Sequence, residues 1–196
     1  MESLGSQQPI GQHAARQAQK QLAKLEKLRP NAAVGEEKAV HKFRVAARRL
    51  RSLLRLLKGL VPKRTLNPLR DDLADLASAF GEIRNLDVLA NHLETLTAHG
   101  PFADQFPEMA EAWSERRAAS LTRAEVMLNG EPYSVWYRRT HRFLEKLEDT
   151  ETPPLREYLP VLAYQQLSAI RRHEGKLATA SPESLHRLRI DAKRLR

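Results

Sequence analysis

Cysteine is missing from all 196 residues, which excludes disulfides, thiolate zinc sites and thiol nucleophiles together. Aromatics make up only 6%. β-Branched runs are scarce while Leu and Ala are prominent, a balance that favours helices over strands. Long apolar stretches are lacking as well: even "LLRLLKGL" is interrupted twice by charge, and no run approaches the roughly 18 residues that a membrane-spanning helix needs. The start, "MESLGSQQPIGQHAARQ", has no basic segment followed by an apolar one and does not read as a secretory signal. These absences lead us to expect a soluble cytoplasmic protein of one domain or two small ones, long enough to bury a core.

The most telling shortage is local. "HKFRVAARRLRSLLRLLK", residues 41 to 58, holds two lysines, five arginines and a histidine without a single acid. It supplies most of the formal net charge of +9, so the rest of the chain is nearly neutral. Charge gathered in this way attracts a polyanion more effectively than the same charge spread evenly. Residues 66 to 99 show the opposite bias, with Asp71, Asp72, Asp75, Glu82, Asp87 and Glu94 against Arg70 and Arg84.

Apolar residues recur at helical spacing almost throughout, and Pro and Gly divide the pattern. The spacing predicts helices near 10–29, 36–59, 66–80, 84–98, 105–129, 133–149, 155–178 and 182–196. The breaks fall at "RPNAAVG", "GLVPKR", "AHGPF", "NGEP" and "TETPP". Nothing reads as a strand, so the fold class is all-α. At about 100° per residue, Arg44, Arg48, Arg51 and Arg55 fall with His41 in an arc of about 80°, and the stripe runs about 21 Å. Phe43, Leu50, Leu54 and Leu57 lie opposite and mark the core face. The preceding helix repeats the device, with His13, Arg16, Lys20, Lys24 and Lys27 opposite Ala14, Ala18, Leu22 and Leu25. Two such stripes side by side can line a groove.

The end of the chain echoes that stretch. "HKFRVAARRLR" (41–51) and "HRLRIDAKRLR" (186–196) align without a gap, and only Ala46 against Asp191 differs in kind. The same offset sets "QLAKLEK" (21–27) against "QLSAIRR" (166–172), preserving Leu22/Leu167 and Leu25/Ile170. A helix pair thus occurs twice, which predicts two related halves. We divide the chain into a flexible N-terminus (1–9), a first helical bundle (10–150) and the first two helices of a second (151–196). The second copy stops at Arg196 in mid-helix with no Gly, Asn or Pro stop signal, so we expect a fragment of a longer protein.

The doubled H-x-x-R-x-x-x-R/K-R-L-R motif, with "FGEIRNLDVL" at 80–89, resembles the CHAD family, the conserved histidine α-helical domain, over roughly residues 10–196. That resemblance implies two helical bundles related by pseudo-twofold symmetry, the second truncated in this chain. It also implies binding of inorganic polyphosphate, with association at polyphosphate granules, rather than catalysis. Carried over by position, the binding residues are His41, Arg44, Arg48, Arg51 and Arg55, then His186, Arg189, Lys193 and Arg196. Arg16, Lys20, Lys24, Arg49, Arg84, Arg139, Arg142, Lys146 and Arg194 form a secondary set. Arg84 matches the arginine of the family's L-G-x-x-R-D-x-D-V segment, although Asn85 stands where an acid is usual. No cofactor and no metal are expected.

Polyphosphate carries charge at every unit and no bases to read, so a row of forked guanidinium donors suits it without any general base. The rival partners use the same charge. Nucleic acid, a weaker partner on this reading, is poorly served because few aromatics accompany the arginines and no helix-turn-helix signal stands out. A phosphatase is disfavoured: His92 and His99 lack zinc spacing, and "HEGKL" (173–177) lacks a second histidine. A scaffold that meets an acidic protein is a third possibility. His41 and His186 could instead be buried, turn-capping histidines. Trp113 and Trp136 read as packing residues, and "RRTHRFLEK" (138–146) puts Arg139, Arg142 and Lys146 on one face. For that face, as for Arg116, Arg117 and Arg123, a further basic site and ordinary surface are equally open readings.

Overall fold

The computed structural model describes residues 7–97 and 106–195, and among them seven α-helices and no strand. They are α1 (Ile10–Ala33), α2 (Glu37–Leu56), α3 (Lys63–Thr97), α4 (Phe106–Asn129), α5 (Glu131–Glu148), α6 (Leu155–Arg171) and α7 (Pro182–Leu195). The chain divides into two compact units. One is His13–Thr150; the other takes in the described residues up to Gln12 and from Glu151 onward.

Within His13–Thr150, α2 packs on α3, α3 on α4 and α5, and α4 on α5. The apolar faces of the first two helices foreseen by periodicity are buried: Leu22 and Leu25 of α1, and Phe43, Leu50, Leu54 and Leu57 in and just after α2. Leu69, Leu73 and Phe80 of α3 join them in the core. The Phe43 and Phe80 rings meet with centroids 4.6 Å apart. Burying a side chain of this size stabilises by about 1.5–3 kcal/mol, so α2 is fixed by its leucine face and its opposite face must turn outward.

Three sequence expectations need correction. The segments 66–80 and 84–98 are one helix, α3, 35 residues long. Gly81 passes through it, because a glycine costs a helix interior about 1 kcal/mol without breaking it, and the buried Phe80 and Ile83 on either side hold the turn against the core. The first helix does not stop at residue 29 but carries Pro30 and runs to Ala33, since Ala32 and Ala33 still find burial. The segment 155–178 ends as a helix at Arg171, and Glu174–Thr179 forms a 3₁₀ turn. The break at "AHGPF" and His99 lie outside the described residues.

α1 ends in a closed double bond pattern. Glu36 N donates to Asn31 O at 3.0 Å and Gly35 N to Ala32 O at 3.1 Å, which satisfies carbonyls that a helix end otherwise leaves open. The pattern requires a left-handed residue, and Gly35 has φ +80°. A Cβ there would also stand 2.6 Å from the Leu121 side chain. Gly35→Ala is therefore expected to cost about 1–2 kcal/mol, measurable as a lower urea midpoint with an unchanged slope.

The other unit is built differently. Ile10 N donates to Pro153 O at 2.9 Å and Leu155 N to Gln8 O at 3.0 Å, while Gly11 N donates to Thr152 Oγ1. Gln8 is thus pinned, although it falls in the segment expected to be loose; residues 1–6 lie outside the described residues. α6 packs on α7, yet no residue of α6 is buried. Leu167, the counterpart of buried Leu22, is exposed, and so is Leu195, the counterpart of buried Leu50. In the larger unit α2 packs on α3, whereas the smaller unit, apart from the first residues of α1, offers α6 and α7 only each other among its described α-helices.

Candidate functional site

The stripe of α2 follows from the burial of its other face. His41, Arg48, Arg51 and Arg55 are exposed and Arg44 is half-buried, with Arg49 and Lys42 exposed beside them. The alternative of buried, turn-capping histidines does not hold: His41 and His186 are both exposed.

Ion pairing divides the arginines of this unit by helix. Both arginines of α1 and all three of α4 are tied to acids, with one each from α3 and α5: Arg16 to Glu148 at 2.9 Å, Arg29 to Glu26, Arg84 to Glu37 at 2.6 Å, Arg116 and Arg123 to Glu82, Arg117 to Asp87 and Arg139 to Asp72; Arg64, Arg70, Arg138 and Arg142 have no ion pair among the described residues. Among the described residues, no ion pair involves Arg44, Arg48, Arg49 or Arg51. For these four arginines, the acids that the stretch lacks in sequence are not supplied by its neighbours among the described residues. Four guanidinium groups therefore hold their donors open to solvent on one helix.

The secondary set separates in the same way. Lys20 and Lys24 are exposed on α1, and Arg142 and Lys146 on α5, with no ion pair among the described residues. Arg16, Arg84 and Arg139 already hold carboxylates, and a phosphate has to compete for each. Glu148 shows the strength of one such contact: the hydrogen bond from Arg16 holds its carboxyl below the usual range, with partial burial opposing and Gln19 assisting. Glu148→Gln removes one negative charge and loosens Arg16. It is expected to raise affinity for a polyanion about threefold, in line with the energy of one surface pair, when measured by titration at fixed salt.

A second cluster anchors the start of the stripe. Arg84 Nη1 donates to Glu37 Oε1, as does Asn91 Nδ2 at 3.4 Å, so α3 grips the first turn of α2. Arg117 Nε donates to Asp87 Oδ1 at 2.6 Å and its Nη2 to Gly35 O at 2.9 Å. One guanidinium from α4 thereby joins α3 to the α1–α2 turn. Arg117 is thus a structural anchor rather than ordinary surface. Sequence reasoning missed it, although one signal was present: Asp87 lies between Leu86 and Val88 on a core-facing register and requires a cation.

In the smaller unit α7 exposes His186, Arg189 and Lys193. The Arg194 side chain and the whole of Arg196 lie outside what the structure describes. The one radical mismatch of the repeat has an explanation here. Ala46 is fully buried, but Asp191 Oδ2 sits 3.6 Å from His173 Nε2, so the acid meets an imidazole at the end of α6 where the other copy meets apolar core.

Trp136 is buried, and its Nε1 donates to Leu69 O at 3.1 Å; it packs as expected, whereas Trp113 is half-buried. Among the described residues no three His, Asp or Glu side chains converge as a metal ion requires. Nor, among the described residues, is any helix long and apolar enough to cross a membrane.

Comparison with known proteins adds an independent line. A family model described as "CHAD domain" matches residues 16–196. The crystal structure of the CHAD domain from the plant Ricinus communis superposes with a TM-score of 0.77 at 19% identity. That alignment covers 98% of this chain and 65% of the plant chain, so the present chain spans about two thirds of that length. At such identity the likeness speaks for the all-α fold. No curated protein matches the chain in sequence.

Proposed function

The chain belongs to the CHAD family, and from that premise we propose that it binds inorganic polyphosphate along the His/Arg stripe of α2, and that the basic face of α7 is a polyphosphate-binding surface of its own unit. One observation carries this reading: α2 gathers four arginines without an ion pair among the described residues, Arg44, Arg48, Arg49 and Arg51, on a single helix, whereas every arginine of α1 and α4 is held by a carboxylate. A protein that keeps like charges together on one helix bears a repulsion of about 0.2–0.5 kcal/mol per i,i+4 pair. A bound polyanion turns that cost into attraction.

The chemistry matches at each step. Arginine presents planar pairs of donors to phosphate oxygens and stays charged at any physiological pH. Stripe residues recur every three or four positions, about 5–6 Å along the axis, so a flexible anionic chain meets a donor at each turn. His41 adds a further donor, and a charge when protonated. The role is binding without chemical change, and association with polyphosphate granules follows from it.

The test is a titration with polyphosphates of several lengths across a salt series, with duplex DNA as competitor. If three to four phosphates are neutralised, log K should fall against log salt with a slope of about −2 to −3. A long chain should bind at least about tenfold tighter than triphosphate, because it engages the whole stripe. Equal affinity for triphosphate and a long chain, or equal competition by DNA, would refute the reading. Release of phosphate from the chain in Mg²⁺ would show an enzyme instead.

A further inference from the structure

We propose a second ligand site, unrelated to the basic stripe: a cavity between α3, α4 and α5 that takes a small organic amine carrying an apolar tail. The cavity measures about 490 Å³, within the range of small-molecule sites. Its walls are apolar and come from three helices: Leu76 of α3, Val126 and Met127 of α4, and Val135 and Trp136 of α5.

Two features separate it from an accidental gap in packing. Val126 and Val135, on different helices, are 68% and 41% exposed, and both border this one opening. Exposed β-branched residues facing each other across a cleft leave apolar surface that a ligand can cover. The polar ends of the aromatic lining are spent elsewhere: Trp136 Nε1 donates to Leu69 O, and the Tyr133 hydroxyl donates to Glu26. What these rings offer inward is therefore ring surface.

The charge of the ligand follows from the acids at the rim. Asp72 is held by Arg139. Asp75 has no ion pair among the described residues, and it also borders an adjoining depression of about 340 Å³ that shares Met127. A single uncompensated carboxylate at the mouth of an apolar cleft selects one cationic group with a hydrocarbon body behind it. An anion is repelled, and a neutral amphiphile gains only the apolar part. The unbranched Met127 side chain can adjust to tails of different shape.

The two tryptophans make the site measurable. In Trp113→Phe protein the remaining indole, Trp136, lines the cavity, and its fluorescence reports occupancy. Octylammonium, octanol and octanoate, each below its micelle concentration, share one tail and differ in head charge. Octylammonium is expected to saturate the signal and bind about tenfold tighter than octanoate, with octanol between, as one ion pair at a partly screened site allows. Asp75→Asn, an exposed substitution, should lower octylammonium affinity about fivefold and leave octanol unchanged. Equal affinities for the three probes, no saturable change with any, or no effect of Asp75→Asn would overturn the proposal. Polyphosphate binding is read separately: no residue of the α2 stripe lines the cavity, and Arg139, which does and also belongs to the secondary set, is held by Asp72.

Discussion

Replacing Arg44, Arg48 and Arg51 together by Ala is expected to weaken polyphosphate binding about 100-fold. At about 1 kcal/mol for each exposed charge-assisted contact, three lost contacts amount to about 3 kcal/mol, and each factor of ten corresponds to about 1.4 kcal/mol. The salt slope should flatten by about 2 at the same time. Stability should move the other way. Arg44/Arg48 and Arg51/Arg55 are i,i+4 neighbours and Arg48/Arg51 are i,i+3, so relieving their repulsion and adding three alanines favours the helix. The lost aliphatic stem of half-buried Arg44 offsets part of that gain, leaving the variant up to about 1 kcal/mol more stable at low salt. Titration calorimetry and thermal melts on one preparation test both signs. Wild-type affinity would put the site elsewhere. A clear loss of stability would mean that the stripe supports the fold.

Removing Arg117 should act in the opposite sense, on stability first. Asp87 is 5% exposed at its side chain, and its Oδ2 has no hydrogen-bond partner, so Arg117 is what compensates the carboxylate. Arg117→Ala leaves a buried charge unpaired and the Gly35 carbonyl without its side-chain donor. Breaking a fully buried pair costs about 3–5 kcal/mol; because Arg117 is about one-third exposed, we expect about 2–3 kcal/mol, seen as a lower urea midpoint. Replacing both partners by Leu should recover most of the loss, because the desolvation cost disappears along with the attraction. If Arg117→Ala unfolds like the parent protein, the anchor is not structural. Below its melting range this variant should keep the salt slope of the parent, since Arg117 is already committed to Asp87 and Gly35.

These two predictions mark two kinds of arginine that the sequence does not label. Arg48 and Arg117 look alike as letters, each beside another arginine within a helical stretch. The first faces solvent because Phe43, Leu50 and Leu54 bury the other side of α2; the second meets Asp87 because α3 and α4 pack together. Arg84 shows the same limit. Its place in the family's motif was legible, but its hold on Glu37, 47 positions earlier, was not.

The sequence by itself determined whatever depends on neighbours three or four residues away. The all-α class, the basic stripe of α2 and its opposite leucine face follow from helical periodicity, which is local, and the repeat at 186–196 from matching residues. The end of α1 before Gly35 was only partly local, because burial of Ala32 and Ala33 carries the helix past Pro30. The continuity of α3 through Gly81 was not local, because burial of Phe80 and Ile83 outweighs a weak local preference. Tertiary structure alone decided which cations stay unpaired, which acids they would have met, and where α3, α4 and α5 leave an apolar cleft beside Asp75. Those outcomes depend on residues tens of positions apart coming within a few ångströms, and that distance is set by how the helices pack.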